Sequence, residues 1–532
     1  MTTPPPTSGA TTLILLQIAS RAFTFAVNQI LLRYLSPSLL AAATQLDLYA
    51  ITVLYFARES LRVAVTRLSE STKAIVNLAC LSVGLGCLLV VGVAALYRRA
   101  GVPPVPYFLD ALNIYAGACV IELLSEPAFV AAQQRFLYGL RASAETAANL
   151  TRCVVTCGVG IWASKTGVDI GVMPFALGQL GYSIVLLGVY TLRTYPHVKR
   201  DQASLLPTVL DPATNPILLF FNRPLLSLSL SLSLQNTLKY ILTQGDGLLI
   251  ASLLSLPAQG SYALASNYGS LIARLLFQPI EESSRALFAR NCAPQGAGGQ
   301  VGGEPSKSGL HAAASTLTFY LRFYTLLALP AISLGPSLAP LLLHLVAGPR
   351  WARSDASAVL ARYALYIPLL ALNGVSEAFV AAVASERELH TQSAWMGFFF
   401  VAWAGAAWVL MGELGLGAVG LVWANCVNMG GRIWFNGGFV RGWFGRYGME
   451  FEIGPVLPRW ESVAVAVAAA AVLNASVPQA LKELGLVGEV LRVGGVSGVF
   501  GVFVLWFERE WLLQAYRDTV SKREEKQEKK VK

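Results

Sequence analysis

Apolar residues occur along the chain in runs of about 20, separated by short polar segments. A helix of that length crosses the hydrocarbon core of a bilayer. Membrane barrels need many segments in which apolar and polar residues alternate, and such segments do not recur along this sequence. Only helices and closed barrels satisfy their backbone groups in lipid, so the pattern predicts an all-α polytopic membrane protein. We predict about 14 transmembrane helices, with bounds good to about ±3 residues. They cover residues 12–33, 42–63, 75–97, 108–131, 144–163, 172–193, 227–254, 260–284, 310–345, 356–384, 392–411, 415–438, 460–478 and 488–508.

Two of these spans contain residues that disturb a regular helix. The ninth is longer than one crossing needs, and we expect Pro330, Pro336 and Pro340 to break it. The seventh contains Gly-Asp-Gly at residues 245–247. Glycine permits unusual backbone angles, so we expect this helix to be bent or unwound there, with the acid facing a hydrated cavity.

An internal repeat relates two pairs of spans. Residues 35–37 read Leu-Ser-Pro before the second span, which ends in an acid and serine at residues 59–60. Residues 255–257 read Ser-Leu-Pro before the eighth, which ends in Glu-Glu-Ser at residues 281–283. Six spans separate the copies, so both have the same orientation, which predicts a parallel repeat of two six-helix lobes.

The repeat divides the chain into four parts. Residues 1–200 form an N-lobe of six helices, and residues 201–226 form a cytosolic linker. Residues 227–445 form a C-lobe of six helices. Residues 446–532 add two accessory helices and a charged cytosolic tail.

Composition and charge agree with a membrane protein. Apolar residues make up 55% of the chain and charged residues 13%, about half the share of a soluble domain. Disordered chains are richer in charge and poorer in aromatic residues. Lys and Arg are roughly twice as frequent in loops after even-numbered spans as in the others, which places both termini in the cytosol.

The sequence lacks the motifs of common catalytic and energy-coupling sites. It has no phosphate-binding P-loop, no His-Glu-x-x-His, no Cys-x-x-Cys and no nucleophile elbow. Its seven cysteines are best explained as small apolar residues between helices. We therefore expect no enzyme activity, no cofactor and no metal.

Ionisable residues inside the spans indicate a polar interior. A charge at mid-bilayer costs at least about 2.5–3.5 kcal/mol, so it faces a cavity or a partner. Arg21, Arg274 and Arg432 outnumber the acids deep in their own helices, and guanidinium groups bind phosphate through two parallel hydrogen bonds. An anionic, phosphate-bearing substrate would suit such a cavity. The candidate substrate-binding residues are Arg21, Arg33, Asp246, Arg274, Asn425, Asn428 and Arg432.

A second set of ionisable residues lies near the cytosolic ends of spans or beside a proline. We interpret these residues as gating or interlobe contacts, although each could instead belong to a structural ion pair. The set comprises Arg58, Glu59, Arg62, Glu122, Glu126, Glu281, Glu282 and Glu377.

Several of these residues lie in segments that resemble a known family. The segments are residues 56–62, 122–127, 241–246, 269–283, 373–377 and 424–432. The Gln-Pro-Ile-Glu-Glu-Ser sequence at 278–283 is highly specific. The chain resembles the Rft family of endoplasmic-reticulum membrane proteins, within the superfamily of multidrug, oligosaccharidyl-lipid and polysaccharide exporters. It departs from the family at Gln244, where an acid is common, which argues against a proton-coupled role for that position.

The resemblance implies fourteen helices in two lobes and a role in N-glycosylation. Family members are needed for the dolichyl-diphosphate-linked Man5GlcNAc2 oligosaccharide to reach the lumenal leaflet of the endoplasmic reticulum. The implied partners are this lipid and membrane lipid; we expect no nucleic acid, and protein partners are unknown. Either the protein transports the lipid, as a flippase does, or it is an accessory that binds or channels it. A proton-coupled drug exporter is a weaker alternative, because the resemblance is to the endoplasmic-reticulum type.

Overall fold

The structure, a computed structural model, describes most of the chain. The described residues are 29, 31–67, 71–135, 137–200, 204–209, 220–221, 223–293, 305–476, 478–514 and 517. Contacts divide the chain into two compact units, one ending at Gly260 and the next beginning at Ser261.

Long helices make up both units. Helices α1 to α7 are Pro37–Arg67, Thr72–Ala100, Phe108–Leu123, Glu126–Gln134, Tyr138–Thr166, Met173–Arg200 and Arg223–Leu253. Helix α8, Leu256–Ile272, continues through the π-helix Ala273–Phe277 into α9, Gln278–Asn291. Helices α10 to α14 are Lys307–Ser333, Gly335–Val346, Pro349–Ala352, Ala356–Val383 and Glu386–Trp408, and α14 continues into the π-helix Val409–Glu413. Helices α15 to α18 are Gly417–Arg446, Trp460–Asn474, Gln479–Glu483 and Gly485–Phe507, with a 3₁₀ turn at Gly454–Val456.

The first unit is built around α1, α3 and α6. Tyr49 of α1, Tyr115 of α3 and Ala176 of α6 are fully buried in one apolar core. The Tyr49 hydroxyl donates to the Val90 carbonyl of α2 at 2.9 Å, so this phenol is satisfied inside the core. Helix α1 contacts α2 and α3, and α6 contacts α3 and α5. Helix α7 packs along α1 and belongs to this unit by its contacts.

The second unit is built around α13. Phe379 of α13, Phe288 of α9 and Phe444 of α15 are fully buried in one aromatic core. Helix α9 contacts α10 and α13, and α15 contacts α13 and α14. Helices α16 and α18 pack on each other, and their buried apolar residues form a separate core with Leu334 and Leu341.

The predicted helix positions agree closely with the structure. A helix, or two consecutive helices, lies at each predicted position from the second span to the fourteenth. Within the described residues, eight helices are long and apolar enough to cross a membrane. Most of the first predicted span lies outside the described residues. The count of fourteen crossings and the boundaries 1–200, 201–226, 227–445 and 446–532 stay predictions.

The breaks in the helices differ in part from expectation. The ninth span breaks at Leu334, where α11 begins with Pro336 in its first turn, whereas Pro330 and Pro340 lie inside helices. Helix α7 is continuous through residues 245–247, so the predicted unwinding there is wrong. A glycine costs a helix only about 1 kcal/mol. The packing of α7 along α1 favours a continuous helix.

The π-helix at Ala273–Phe277 has a cause in the sequence. The Gln278 N–H donates to the Ala273 carbonyl, five residues back. Pro279 follows at once, and it has no N–H to offer to the carbonyl of Leu275. The wider turn therefore accommodates a residue that a regular α-helix would not. Such π-bulges are frequent at functional sites.

Candidate functional sites inside the two units

Four charged residues of the first unit form one buried cluster. Arg58 of α1 contacts Glu122 of α3 at 2.9 Å and Glu126 of α4 at 3.0 Å. The Nε of Arg62, one turn further along α1, donates to Glu126 at 2.9 Å, and a second nitrogen of Arg62 also contacts Glu126. Both glutamates are almost fully buried. Two cations thus balance two anions within one unit.

Neighbouring side chains complete this cluster. Gln179 of α6 donates to the second oxygen of Glu122 at 3.4 Å. The guanidinium of Arg62 lies over the ring of Phe129 at 3.9 Å, which favours the cation further. The cluster therefore joins α1, α3, α4 and α6. Glu59, next to Arg58, is half-buried and forms no ion pair with the described residues.

The second unit has a corresponding polar cluster. Arg432 of α15 contacts Glu377 of α13 at 2.8 Å, and Asn373 donates to the same glutamate at 3.0 Å. Asn436, one turn after Arg432, donates to the Asn373 side chain at 3.3 Å. Arg432 is thus not the unneutralised cation that its own helix suggested, because the acid that balances it lies on another helix. About a quarter of its side chain stays exposed.

Glu281 of α9 packs closely against α13 at Gly374, next to this cluster. A Cβ built on Gly374 would lie 1.7 Å from Oε1 of Glu281, so only glycine allows this contact. Gly374 lies three residues before Glu377, which brings two acids of different helices to one side of α13. Glu282 points elsewhere: it is exposed and accepts a hydrogen bond from Gln278 at 3.1 Å.

A third group joins α1, α3 and α5. Arg152 forms an ion pair with Oδ1 of Asp47, and the Tyr115 hydroxyl donates to the same oxygen at 2.9 Å. Tyr115 is fully buried, but 33% of the Arg152 side chain and 39% of the Asp47 side chain stay exposed. Both charged residues lie inside predicted spans, 42–63 and 144–163, but the sequence does not indicate that they pair.

The structure describes only some of the remaining predicted substrate-binding residues. Arg21 lies outside the described residues, and so does the side chain of Arg274, whose backbone belongs to the π-helix. Arg33 is exposed in the turn before α1. Asp246 is exposed on α7 and accepts the Gly247 N–H at 2.8 Å.

The two predicted asparagines differ in their surroundings. The Asn425 side chain accepts the Trp403 indole N–H at 2.7 Å and donates to the Tyr262 hydroxyl at 2.9 Å. These bonds fix its orientation. Asn428, one turn further along α15, is half-buried. Its role in substrate binding stays a prediction.

One buried ion pair was not predicted from the sequence. Arg322 of α10 contacts Glu508 at 2.8 Å, and Glu508 directly follows α18, which ends at Phe507. Burial alone would raise the pKa of Glu508, but hydrogen bonds from Arg322, the Arg459 amide and the Ser462 hydroxyl lower it overall. An arginine in the middle of an unusually long apolar run was the available signal.

The part of the chain that the structure describes contains no group of three His, Cys, Asp or Glu side chains placed to hold a metal. Its polar clusters are made mainly of Arg, Glu, Asn and Tyr. Such groups bind anions and hydroxyl groups through hydrogen bonds.

Comparisons with known proteins give a consistent answer along the chain. A family described as "Rft protein" matches residues 6–517. Three relatives share the name "Man(5)GlcNAc(2)-PP-dolichol translocation protein RFT1". The relative from Yarrowia lipolytica is 34% identical, with 81% of this chain and 69% of the relative covered. Those from Saccharomyces cerevisiae and Mus musculus are 31% and 30% identical, with 82% and 81% of each chain covered.

Two solved structures share the fold. The "Lipid II flippase MurJ, inward closed conformation" has a TM-score of 0.57 at 11% identity, with 94% of this chain and 100% of that chain covered. An inward-facing multidrug resistance MATE family transporter of the MOP superfamily has a TM-score of 0.53 at 12% identity, with 79% and 94% covered. At these identities, the likeness shows that the chain has this transporter fold.

Proposed function

Because the chain belongs to the Rft protein family, we propose that it moves the dolichyl-diphosphate-linked Man5GlcNAc2 oligosaccharide from the cytosolic to the lumenal leaflet of the endoplasmic reticulum, for N-glycosylation. The observation that carries this proposal is the match along 81% and 82% of the chain to two relatives named as translocation proteins for that lipid. The fold shared with MurJ and a MATE transporter supports a transport role.

A protein is needed because the headgroup cannot cross lipid unaided. A diphosphate with seven sugars would have to pass about 30 Å of hydrocarbon. In our proposal, two six-helix lobes hold the headgroup and alternately open to each side, while the polyprenyl chain stays in the bilayer. Support comes from the matching contacts inside each unit: α1 with α2 and α3 corresponds to α9 with α10 and α13.

The cations of the spans would bind the diphosphate. We assign this role to Arg21, Arg33, Arg274 and Arg432, which would form a basic cavity. The partly exposed guanidinium of Arg432 keeps surface for a second anion beside Glu377. Asp246, Asn425 and Asn428 would contact the sugars.

The acid–arginine clusters would hold helices in register while the lobes move. This assignment covers Arg58, Glu59, Arg62, Glu122, Glu126, Glu281, Glu282 and Glu377. For Arg58 and Glu126 the support is direct, since their contact joins two helices. Glu282 has weaker support, because its hydrogen-bond partner Gln278 lies on its own helix.

The protein would carry out no chemical step and use no cofactor. With no ATP site in the sequence, the direction of transport would come from use of the lipid on the lumenal side or from an ion gradient. Both termini would lie in the cytosol.

Reconstitution tests the proposal. Purified protein is placed in vesicles with labelled dolichyl-diphosphate Man5GlcNAc2, and leaflet exchange is measured against protein-free vesicles. Faster exchange supports the transporter. Binding without exchange would instead favour the accessory protein that binds or channels this lipid.

A further inference from the structure

Asp47, Tyr115 and Arg152 form a polar group deep in the first unit. Asp47 lies ten residues after the start of α1, and Arg152 lies fourteen residues from each end of α5. At 1.5 Å per residue, these positions are roughly 15–20 Å from the helix ends, near the middle of a bilayer. Even so, about a third of each charged side chain is exposed.

Such exposure is not compatible with contact to hydrocarbon. A charge facing lipid tails at this depth carries a large free-energy cost, so the exposed surfaces face a hydrated space. Thr44 and Ile51, which precede and follow Asp47 by about one turn on α1, are exposed as well. The group therefore lies on an accessible face of α1.

The chemistry of the Asp47, Tyr115 and Arg152 group favours hydroxyl groups over phosphate as its ligand. The carboxylate and the guanidinium cancel in charge, so the group offers no net attraction to a phosphate. Both bonds described for Asp47 end on Oδ1, whereas a carboxylate has room for about four donors, and a guanidinium has five N–H groups. An acceptor beside several donors matches neighbouring hydroxyl groups, of which one donates to the acid and the other accepts from the arginine.

We propose that Asp47, Tyr115 and Arg152 form a binding subsite for sugar hydroxyl groups, separate from the cations that would hold the diphosphate. Asp47 accepts a hydrogen bond from one hydroxyl group, Arg152 donates to a neighbouring hydroxyl group, and buried Tyr115 holds the carboxylate in place. This inference rests on the proposed function, because it assigns the subsite to the headgroup of that lipid.

Binding measurements on the full-length protein in detergent test the subsite. The two probes are the free Man5GlcNAc2 glycan and a sugar-free polyprenyl diphosphate. Asp47→Asn should weaken glycan binding at least tenfold and leave diphosphate binding within twofold. Tyr115→Phe keeps the ion pair and should weaken glycan binding by a smaller factor, so it serves if Asp47→Asn fails to fold. Asp110→Asn, an exposed acid at the start of α3, is the matched control.

Exchanging the two charges distinguishes a role in glycan binding from a role in the stability of the fold. The double variant Asp47→Arg/Arg152→Asp keeps an ion pair, so its thermal stability should approach that of the wild type. Glycan binding should not recover, because Tyr115 would then face a guanidinium. Recovered glycan binding, equal loss of both probes in Tyr115→Phe, or no glycan binding by the wild type would each overturn the subsite. None of these results depends on leaflet exchange, so failure of transport remains a separate outcome.

Discussion

Single charged residues in the spans are stabilised by partners on other helices. Arg58 contacts Glu122 and Glu126, which lie 64 and 68 residues further along the chain. Glu126 receives bonds from two arginines and is 1% exposed. Removing one buried ionic partner leaves the other uncompensated, which commonly costs about 3–5 kcal/mol.

Glu126→Gln should therefore destabilise the protein by about 3–5 kcal/mol, because Arg62 loses the carboxylate that it contacts and Arg58 keeps only Glu122. The measurement is thermal or denaturant unfolding of the purified protein in detergent. Glu145→Gln is the control, since Glu145 forms an exposed i,i+4 pair with Arg141, worth at most about 1 kcal/mol. Equal effects of the two substitutions would contradict a role for the buried cluster in stability.

Substitutions of Arg432 test whether this residue binds the diphosphate in the proposed basic cavity. Each lost charge-assisted hydrogen bond to the diphosphate should cost about 1.5–3 kcal/mol of binding. Arg432→Lys keeps the charge without the planar fork, so function should fall partly, and Arg432→Ala should abolish more of it. The measurement is complementation of an N-glycosylation defect, normalised to protein abundance.

Glu377→Gln supplies the comparison, because it breaks the Arg432 ion pair and keeps the arginine. If Arg432 only pairs with Glu377, the two positions should lose function equally. Normal glycosylation by Arg432→Ala and Arg274→Ala at normal abundance would show that no diphosphate cavity depends on these arginines.

At the scale of helices, close packing depends on a few small residues. Gly260 of α8 faces the first residue of α1, and a Cβ there would lie 1.8 Å from the Pro37 carbonyl oxygen. One residue before Gly260, the Gln259 side chain accepts a hydrogen bond from Gln45 at 2.7 Å. The two segments that the sequence repeat picked out, residues 35–37 and 255–257, thus lie beside this contact.

Gly260→Ala should destabilise the first unit by about 1–3 kcal/mol, as overpacking commonly does. Unfolding of the variant in detergent measures the change. Gly84→Ala is the matched control, because no atom lies within 4 Å of its added Cβ, and alanine favours a helix by up to about 1 kcal/mol. A neutral Gly260→Ala would mean that α8 shifts easily away from Pro37.

Glu508, which follows α18, bonds to Arg322 of α10 and to Arg459 and Ser462 at the start of α16, so it links these three helices. Its pKa is lowered, so its contribution is complete above the ordinary glutamate value of about 4.3 and is lost as pH falls through the lower value in the folded protein. At neutral pH, Glu508→Gln should cost about 1.5–3 kcal/mol. The wild type and the variant should become equal in stability as pH falls well below 4.3.

Thermal unfolding in detergent across this pH range gives the comparison. Glu510→Gln, whose partner Arg459 lies on the surface, should change stability by at most about 1 kcal/mol at any pH. A constant difference between the wild type and Glu508→Gln down to acid pH would rule out the charged form of Glu508 as its source.

The helices were predictable from sequence, but their pairing was not. The length of each apolar run fixes where a helix can cross a bilayer, which is why the positions from the second span to the fourteenth agree. Partners such as Asp47 and Arg152 are 105 residues apart, so only the packing of α1 against other helices brings them together. The π-helix at Ala273–Phe277 likewise depends on a register that hydrophobicity does not specify.

At the scale of the whole molecule, the distribution of Lys and Arg among the loops predicts how the protein is oriented in the membrane. Lys and Arg concentrate in the loops after even-numbered spans, so both termini and the 201–226 linker should be cytosolic. Single cysteines at Gln202 and Glu525, both outside the described residues, should react with an impermeant thiol reagent only from the cytosolic side. Labelling from the lumenal side would contradict the count of fourteen spans.

The π-helix at Ala273–Phe277 also has a consequence for how the sequence can change over time. On its N-terminal side, the Tyr262 hydroxyl accepts a bond from Asn425; on its C-terminal side, Glu281 packs against Gly374. A helix turns about 100° per residue, so losing one residue between these contacts would rotate one of them off its partner. Insertions and deletions should therefore be tolerated in loops but selected against between Tyr262 and Glu281, unless they fall in the wide turn itself.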